Sequence, residues 1–291
     1  MTNYYSSNST YLPRISIITP SYNQGDFLEE TIQSVLNQNY PNLEYIIIDG
    51  GSTDGSVEII KKYEEYLTYW VSEPDFGVYD ALNRGLSRST GEIIGFINSD
   101  DIYCKIFFKE LAQVFLENSK IDAIIGNSFI NKDNKIIPIG QNNYEINPLW
   151  VILFGTPSIN AWFFKKNTIS DLGFFDTNFL IASDRDFLIR FILDRKLLKF
   201  WDSEVYIYRS HIGSKTISFT DENKEKILKE HMQISKKYLK DEKLLTLKTK
   251  WMLVIWMIQS VLRLKVYYLK TKPLQIKKIV NIDINLWKKF Q

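Results

Sequence analysis

The chain has 291 residues, 45% of them hydrophobic and 24% charged, which excludes a disordered or fibrous protein and suits one large α/β domain with an appendage. Its one cysteine, Cys104, excludes an internal disulfide and fits a reducing compartment. The net charge of +2 hides an asymmetry: Lys243 to Gln291 holds eleven Lys/Arg and one acid, Asp283, giving +10 and leaving −8 for the rest. That imbalance speaks of partners, not of fold.

The opening MTNYYSSNSTYLPR is polar and lacks the apolar stretch of a signal peptide, so residues 1–12 read as a frayed arm and the address as cytoplasmic. Ile15–Thr19 is a β-branched run bounded by prolines and predicts a buried strand. Phe27, Ile32, Val35 and Leu36 share a helical face, with Asp26 as a candidate cap and Glu29 three residues on. Glu44–Asp49 predicts a second strand, broken at Gly50-Gly51, and Val57, Ile59, Ile60 and Tyr63 a second helix. Tyr69–Val71, Tyr79–Leu86 and Ile93–Ile97 continue as strand, helix, strand. Such alternation makes a parallel sheet covered on both faces, whose ligands sit beyond the carboxyl ends of the strands. The rule points at residues 20–23, 49–54 and 98–101.

Beyond about Lys120 the order is mixed. Ala123–Ile125 and Ile136–Ile139 flank polar residues like a hairpin, Asp184–Asp194 is helical, and Asp221–Lys240 is a long helical stretch.

Asn98-Ser99-Asp100-Asp101 directly follows a strand. Two adjacent acids repel, and a cation beside a diphosphate is one way to hold them together; a solvated turn is the plainer alternative. Asp49, Ser52 and Asp54 follow another strand within IIIDGGSTDGS. There a carboxylate can accept from a base or ribose and glycines admit a close backbone approach. The plainer alternative is a tight turn in which Ser52 or Asp54 caps the next helix. The string lacks the Lys-Ser/Thr ending of a phosphate-cradling loop, and no GxGxxG follows a strand.

Three strings carry a resemblance: ISIITPSYNQGDFLEETIQSVLNQNYPNLEYIIIDGGSTDGS, SEPDFGVYDALNRGL and GEIIGFINSDD. Together they resemble the nucleotide-binding half of family 2 glycosyltransferases, and the middle one is similar to bacterial members that build surface polysaccharides. The resemblance implies an α/β GT-A fold, a Rossmann-like mixed sheet flanked by helices, and an inverting, metal-dependent hexosyltransferase-like enzyme. It implies that Pro20, Tyr22, Asn23 and Asp49 hold nucleobase and ribose, with Ser52 and Asp54 in the same loop. It puts Asn98-Ser99-Asp100 where the family usually shows Asp-x-Asp, with Asp100 as ligand to Mn²⁺ or Mg²⁺. Asn98 leaves one charge fewer near that metal and still can bond a ribose hydroxyl. Leu82 stands where many relatives carry Arg, so that Arg84 or Asp80 takes over part of the donor contact, and Asn83 is a further nucleotide-sugar contact.

In the second half, Ala182-Ser183-Asp184-Arg185-Asp186 resembles the family's Glu-Asp segment, with Ser183 in place of Glu and Asp184 at the general-base position. The alternative is that Asp184 and Asp186 only supply negative charge to a helix N-terminus. His211, in YRSHIGSKTIS, is a second candidate for the metal or a phosphate, with Ser214 and Lys215 nearby; the alternative is an ordinary loop histidine. His231, in a helical stretch, reads as surface. Trp251–Leu262 is apolar for twelve residues, short of the ~20 needed to span a bilayer. Lys248, Lys250, Arg263 and Lys265 flank it, and Tyr267, Tyr268 and Trp287 follow, a pattern that suits an interfacial anchor on anionic lipid or a helix packed on the catalytic domain.

The expected organisation is a catalytic domain over 13–215, with a donor half over 13–103 and an acceptor half over 104–215, then a basic helical extension over 216–291. The expected donor is a nucleotide diphosphate sugar, UDP-linked as is commonest in the family. The acceptor is a saccharide or lipid-linked saccharide in polysaccharide, lipopolysaccharide or glycolipid synthesis. The extension is expected to lie on the inner face of the cell membrane, and nucleic acid is excluded because the acidic body repels phosphate. The rivals are a nucleotide-sugar-binding scaffold without turnover and a sugar nucleotidyltransferase, which would want a glycine- and lysine-rich phosphate loop.

Overall fold

The computed structural model describes residues 11–132, 135–139, 158–194, 196–211, 221–239, 251, 254–263 and 266. Ser214, Lys215, Tyr267, Tyr268, Trp287, most of the expected N-terminal arm and the expected boundary at 215/216 lie outside them.

Four strands form the parallel half of the sheet: β1 (Ile15–Ser21), β2 (Leu43–Asp49), β3 (Tyr69–Ser72) and β4 (Ile93–Phe96). Helices α1 (Gly25–Leu36), α2 (Ser56–Lys62) and α3 (Val78–Arg88) connect them. β1 and β2 are buried at nearly every position, as strands covered on both faces must be. The register puts Ser21 beside Asp49 and Asp49 beside Ser72, while Ile18 pairs with Phe96, so four strand ends open on one edge.

The rest of the sheet is mixed. β5 (Ile102–Tyr103), α4 (Phe108–Glu117), the hairpin β6 (Ala123–Lys132) and β7 (Lys135–Ile139), β8 (Trp162–Lys165), α5 (Lys166–Leu172), α6 (Ser183–Leu193) and β9 (Leu198–Arg209) follow in order. Among the described residues the sheet has nine strands in the order β3-β2-β1-β4-β8-β6-β9-β5, with β7 on β6. β8 runs antiparallel to β4 and joins the halves. Its Phe163 and Phe164 are fully buried, and Phe164 meets Phe187 and Phe191 of α6 edge-on at 5.4 and 6.0 Å between ring centroids. The helix carrying Asp184 is thereby fixed to the sheet.

α7 (Asp221–Leu239) and a further helix over 254–263, α8, pack beside α6 through Phe179, Ala182, Ile189, Ile234, Tyr238 and Trp256. Two expectations change here. Asp26 is no cap, because α1 begins at Gly25 and its first N–H is taken by Asp54 from across the sheet edge, at 2.8 Å. His231 is no surface residue: it is half-buried, 3.4 Å from Arg185 and with its ring 5.1 Å from that of Trp256.

Candidate active site

The loops after β1 and β2 are stitched into one surface. Asp49 is fully buried, and its Oδ2 accepts from the Gly51 and Ser52 N–H groups at 3.1 and 2.8 Å and from the Ser72 hydroxyl at 2.7 Å. Its Oδ1 accepts from the Ser52 hydroxyl at 2.6 Å, and Ser52 Oγ in turn accepts the Asn23 N–H at 2.8 Å. Asn23, at φ 51°, returns the link by accepting from the Thr53 N–H at 2.9 Å. A Cβ on Gly50 would stand 2.9 Å from the Asp75 carboxylate, so a larger residue there requires that side chain to shift. Pro20 lies within β1, and Tyr22 beyond it offers an exposed ring.

Asp54 serves two helix starts. It accepts from the Gly25 N–H of α1 and from the Ser56 N–H and hydroxyl at 3.1 and 2.6 Å at the start of α2. Burial works against its charge, but the hydrogen bonds from Ser56 and Gly25 outweigh that and hold the carboxyl below its usual range. Asp80 and Arg84 pair at 3.0 Å on one face of α3, and Asp80 also accepts the Phe76 N–H. Asn83 exchanges two 2.9 Å bonds with the Phe175 backbone, stapling α3 to the segment before α6.

The two adjacent acids part company. Asp101 turns inward, fully buried, where it accepts from the Tyr206 hydroxyl at 2.6 Å and the Arg209 N–H at 2.9 Å. Burial, with the Asp100 charge beside it, pushes its carboxyl well above the usual range. The two carboxyls thus take different partners, and the repulsion that persists between them favours the protonated Asp101. Asp100 faces outward, its Oδ2 3.2 Å from His211 Nε2, and His211 stacks on Phe27 at 4.2 Å between ring centroids. Ser99 is buried, its carbonyl accepting from Thr31, while Asn98 is half-buried and reaches Asp101 at 3.4 Å.

Arg209, which sequence reasoning passed over, ties this edge together. Its guanidinium donates to the Asp100 carbonyl at 2.6 Å, to the Phe27 carbonyl and Thr31 hydroxyl at 2.9 Å, and to Glu30. The signal available was a cation closing the alternating strand EVYIYR two residues before His211.

Among the described residues no group of three or more His, Cys, Asp and Glu stands ready to enclose a metal. Asp100 and His211 supply one carboxylate oxygen and one imidazole nitrogen at hydrogen-bond separation. Such a pair fits Mn²⁺ or Mg²⁺ shared with phosphate oxygens, since these ions keep much of their shell for substrate and water.

Asp184 lies in the first turn of α6. Burial raises its carboxyl above the usual range, against hydrogen bonds from the Arg185 N–H at 2.7 Å and the Tyr79 hydroxyl at 3.2 Å. Asp186, in the same turn, is fully buried and given over to Arg190, Lys237 and Tyr238. Glu230 of α7, also passed over, accepts the Leu180, Ile181 and Ala182 N–H groups at 2.9, 2.9 and 2.8 Å, so a second helix holds the loop that presents Asp184.

Comparison with known proteins meets this geometry. An uncharacterized glycosyltransferase of Mycobacterium tuberculosis is 31% identical over 193 residues, covering 62% of this chain and 70% of its own. TuaG of Bacillus subtilis, named for teichuronic acid biosynthesis, is 35% identical over 128 residues, 43% of this chain and 51% of its own. Staphylococcus aureus TarS 1–349 in complex with UDP-GlcNAc superposes with a TM-score of 0.73 at 19% identity, over 92% of this chain and 79% of its own. A Pyrobaculum calidifontis mannosyltransferase with GDP-Man and Mn²⁺ gives 0.61 at 19%, over 95% and 81%. At such identity the two structures speak for the GT-A fold alone. The model of the glycosyl transferase family 2 domain matches residues 16–198, more than half the chain, and the protein belongs to that family as a GT-A glycosyltransferase.

Proposed function

We propose that the protein moves a sugar from a nucleotide diphosphate sugar, a UDP-sugar, to an acceptor hydroxyl with inversion at the anomeric carbon. The setting is bacterial polysaccharide, lipopolysaccharide or glycolipid synthesis. The observation that carries this reading is Asp184: a carboxyl raised by burial, on the acceptor half, bonded to a helix that begins at the donor-side edge. The Asn23–Ser52–Asp49 network supports a rigid seat for base and ribose, since its carboxylate is already satisfied and need not rearrange. In the transfer, Asp184 takes the acceptor proton as the hydroxyl oxygen bonds to the anomeric carbon. The bond from that carbon to the diphosphate breaks and the nucleoside diphosphate leaves. Asp100 and His211 would hold Mn²⁺ or Mg²⁺, which when bound neutralises charge on the leaving diphosphate. TarS with UDP-GlcNAc and the mannosyltransferase with GDP-Man and Mn²⁺ support a nucleotide-sugar donor.

The test is donor hydrolysis and transfer on a panel of nucleotide sugars with Mn²⁺, Mg²⁺ or EDTA, using membrane extract as acceptor source. Wild type is run beside Asp100→Ala and Asp184→Ala. Metal-dependent turnover of one donor, lost in both variants, is the expected result. Donor binding with no turnover under any acceptor condition would favour a binding scaffold instead.

A further inference from the structure

Helix α8 has two apolar faces. Trp256, Met257, Ser260 and Val261 are buried against the body, and the Trp256 ring lies 3.9 Å from the Arg185 guanidinium, so the helix is fixed beside the Asp184 turn. The opposite face carries Ile255, Ile258 and Leu262, each between 43% and 54% exposed, and Trp251 and Val266, before and after the helix in sequence, are 61% and 52% exposed. At 3.6 residues per turn the three fall within about a sixth of the helix circumference. A single exposed leucine is ordinary; three large apolar side chains in one stripe, with two more close by in sequence, are a surface looking for an apolar partner.

We infer that this stripe docks the protein on an anionic lipid surface. The charge of the chain selects that partner. Lys248, Lys250, Arg263 and Lys265 bracket the stripe in sequence, within the segment from Lys243 to Gln291 that carries eleven Lys/Arg against one acid. An apolar face within the most basic segment of the sequence matches the boundary between acyl chains and anionic headgroups. A second copy of the chain is a poorer occupant, because symmetric contact would bring two segments of charge +10 together. Spanning is excluded for the described helices, none of which is long and apolar enough to cross a bilayer. The docking does not depend on what Asp184 does.

The test is flotation of the purified full chain with vesicles of phosphatidylcholine, with and without phosphatidylglycerol. The expected result is flotation with the anionic vesicles only, weakened by salt. Ile258→Asp/Leu262→Asp, on exposed positions, should lower vesicle affinity at least about tenfold while circular dichroism and nucleotide-sugar binding stay unchanged. Ile255→Asp, on the same face, gives a second variant should the double one misfold. Failure of wild type to float would overturn the inference, as would equal flotation of folded variants. Light scattering that shows a wild-type dimer, monomeric in the double variant, would overturn it in favour of a contact between copies.

Discussion

The Tyr79 hydroxyl stands 3.2 Å from Asp184 Oδ1 and 2.8 Å from the Ile181 carbonyl, so one proton on α3 serves both the candidate base and the turn behind it. A hydrogen bond to the charged form favours it, and this one opposes the burial that raises the Asp184 carboxyl. Removing it shifts the balance toward the acid form. In Tyr79→Phe the acid limb of the rate profile is therefore expected at higher pH than in wild type, with the plateau rate changed less than the limb. An unmoved limb in a folded variant would show that the hydroxyl serves only Ile181.

Asp184→Asn separates chemistry from stability. A base that cannot accept a proton should cost transfer about 10²–10⁴-fold while donor binding persists. Because the folded-state pKa is raised, the stability this group contributes is full below the unfolded value near 3.9 and lost as pH rises through the folded value. At neutral pH the neutral amide escapes that loss, so the variant is expected to melt higher than wild type. Calorimetry at pH 7 checks this, and a lower melting temperature would contradict the burial argument.

At the opposite end of the site, Asp100 meets His211 at 3.2 Å while its own neighbour Asp101 is committed to the core. EDTA should abolish turnover and added Mn²⁺ restore it. Asp100→Ala should lower kcat by roughly 10²–10³, the loss typical of removing a group that stabilises leaving-group charge. Asp101→Asn is expected to act differently, since it alters the Tyr206 and Arg209 contacts and should show first as a lower melting temperature. Equal kinetic loss in both, with unchanged stability, would mean that the inward and outward roles are misassigned.

The parts of this molecule that were legible in the sequence are those written locally. Strands β1, β2 and β4 are short isoleucine-rich runs, and the polar strings that end them sit where a parallel sheet puts its ligands. What separates Asp100 from Asp101 is not local, because the inward partner, Tyr206, lies 105 residues away on the far strand of a mixed sheet. Arg209 and Glu230 escaped for the same reason. One is a cation at a strand end and the other an acid in a charged helix, and only tertiary contact shows three N–H groups converging on Glu230. The tail was readable as apolar and basic, whereas the division of α8 into a docked and an open face needed the packing against Arg185.

Glu230 predicts a coupling between the extension and the site. Its nearly buried carboxylate satisfies three consecutive N–H groups just before Ser183. Glu230→Ala leaves them without that partner and should cost about 1–3 kcal/mol of stability. It should also lower kcat more than it raises the donor KM, because Asp184 is presented by the freed loop. Glu230→Gln, which keeps an acceptor oxygen, is expected to recover part of both. Loss of stability with kcat unchanged would confine the contact to folding.

His231 sets an acid limit on the same interface. Burial, then the charges of Arg185 and Arg263, lowers its pKa to about 3, so the ring is neutral in the folded protein and its nitrogen can accept from Arg185. The unfolded chain takes up a proton near pH 6.5 that the folded chain refuses. Stability is therefore lost as pH falls from 6.5 toward 3, by at most about 1.4 kcal/mol per pH unit, less here because the half-buried ring keeps some water. The first contact to loosen should be α8 against α6, where the Trp256 ring meets both the His231 ring and the Arg185 guanidinium. Hydrogen exchange over 254–263 measured at pH 7 and pH 5 is expected to rise at the lower value in wild type and to rise less in His231→Gln. Identical profiles for the two proteins would place the acid sensitivity elsewhere in the chain.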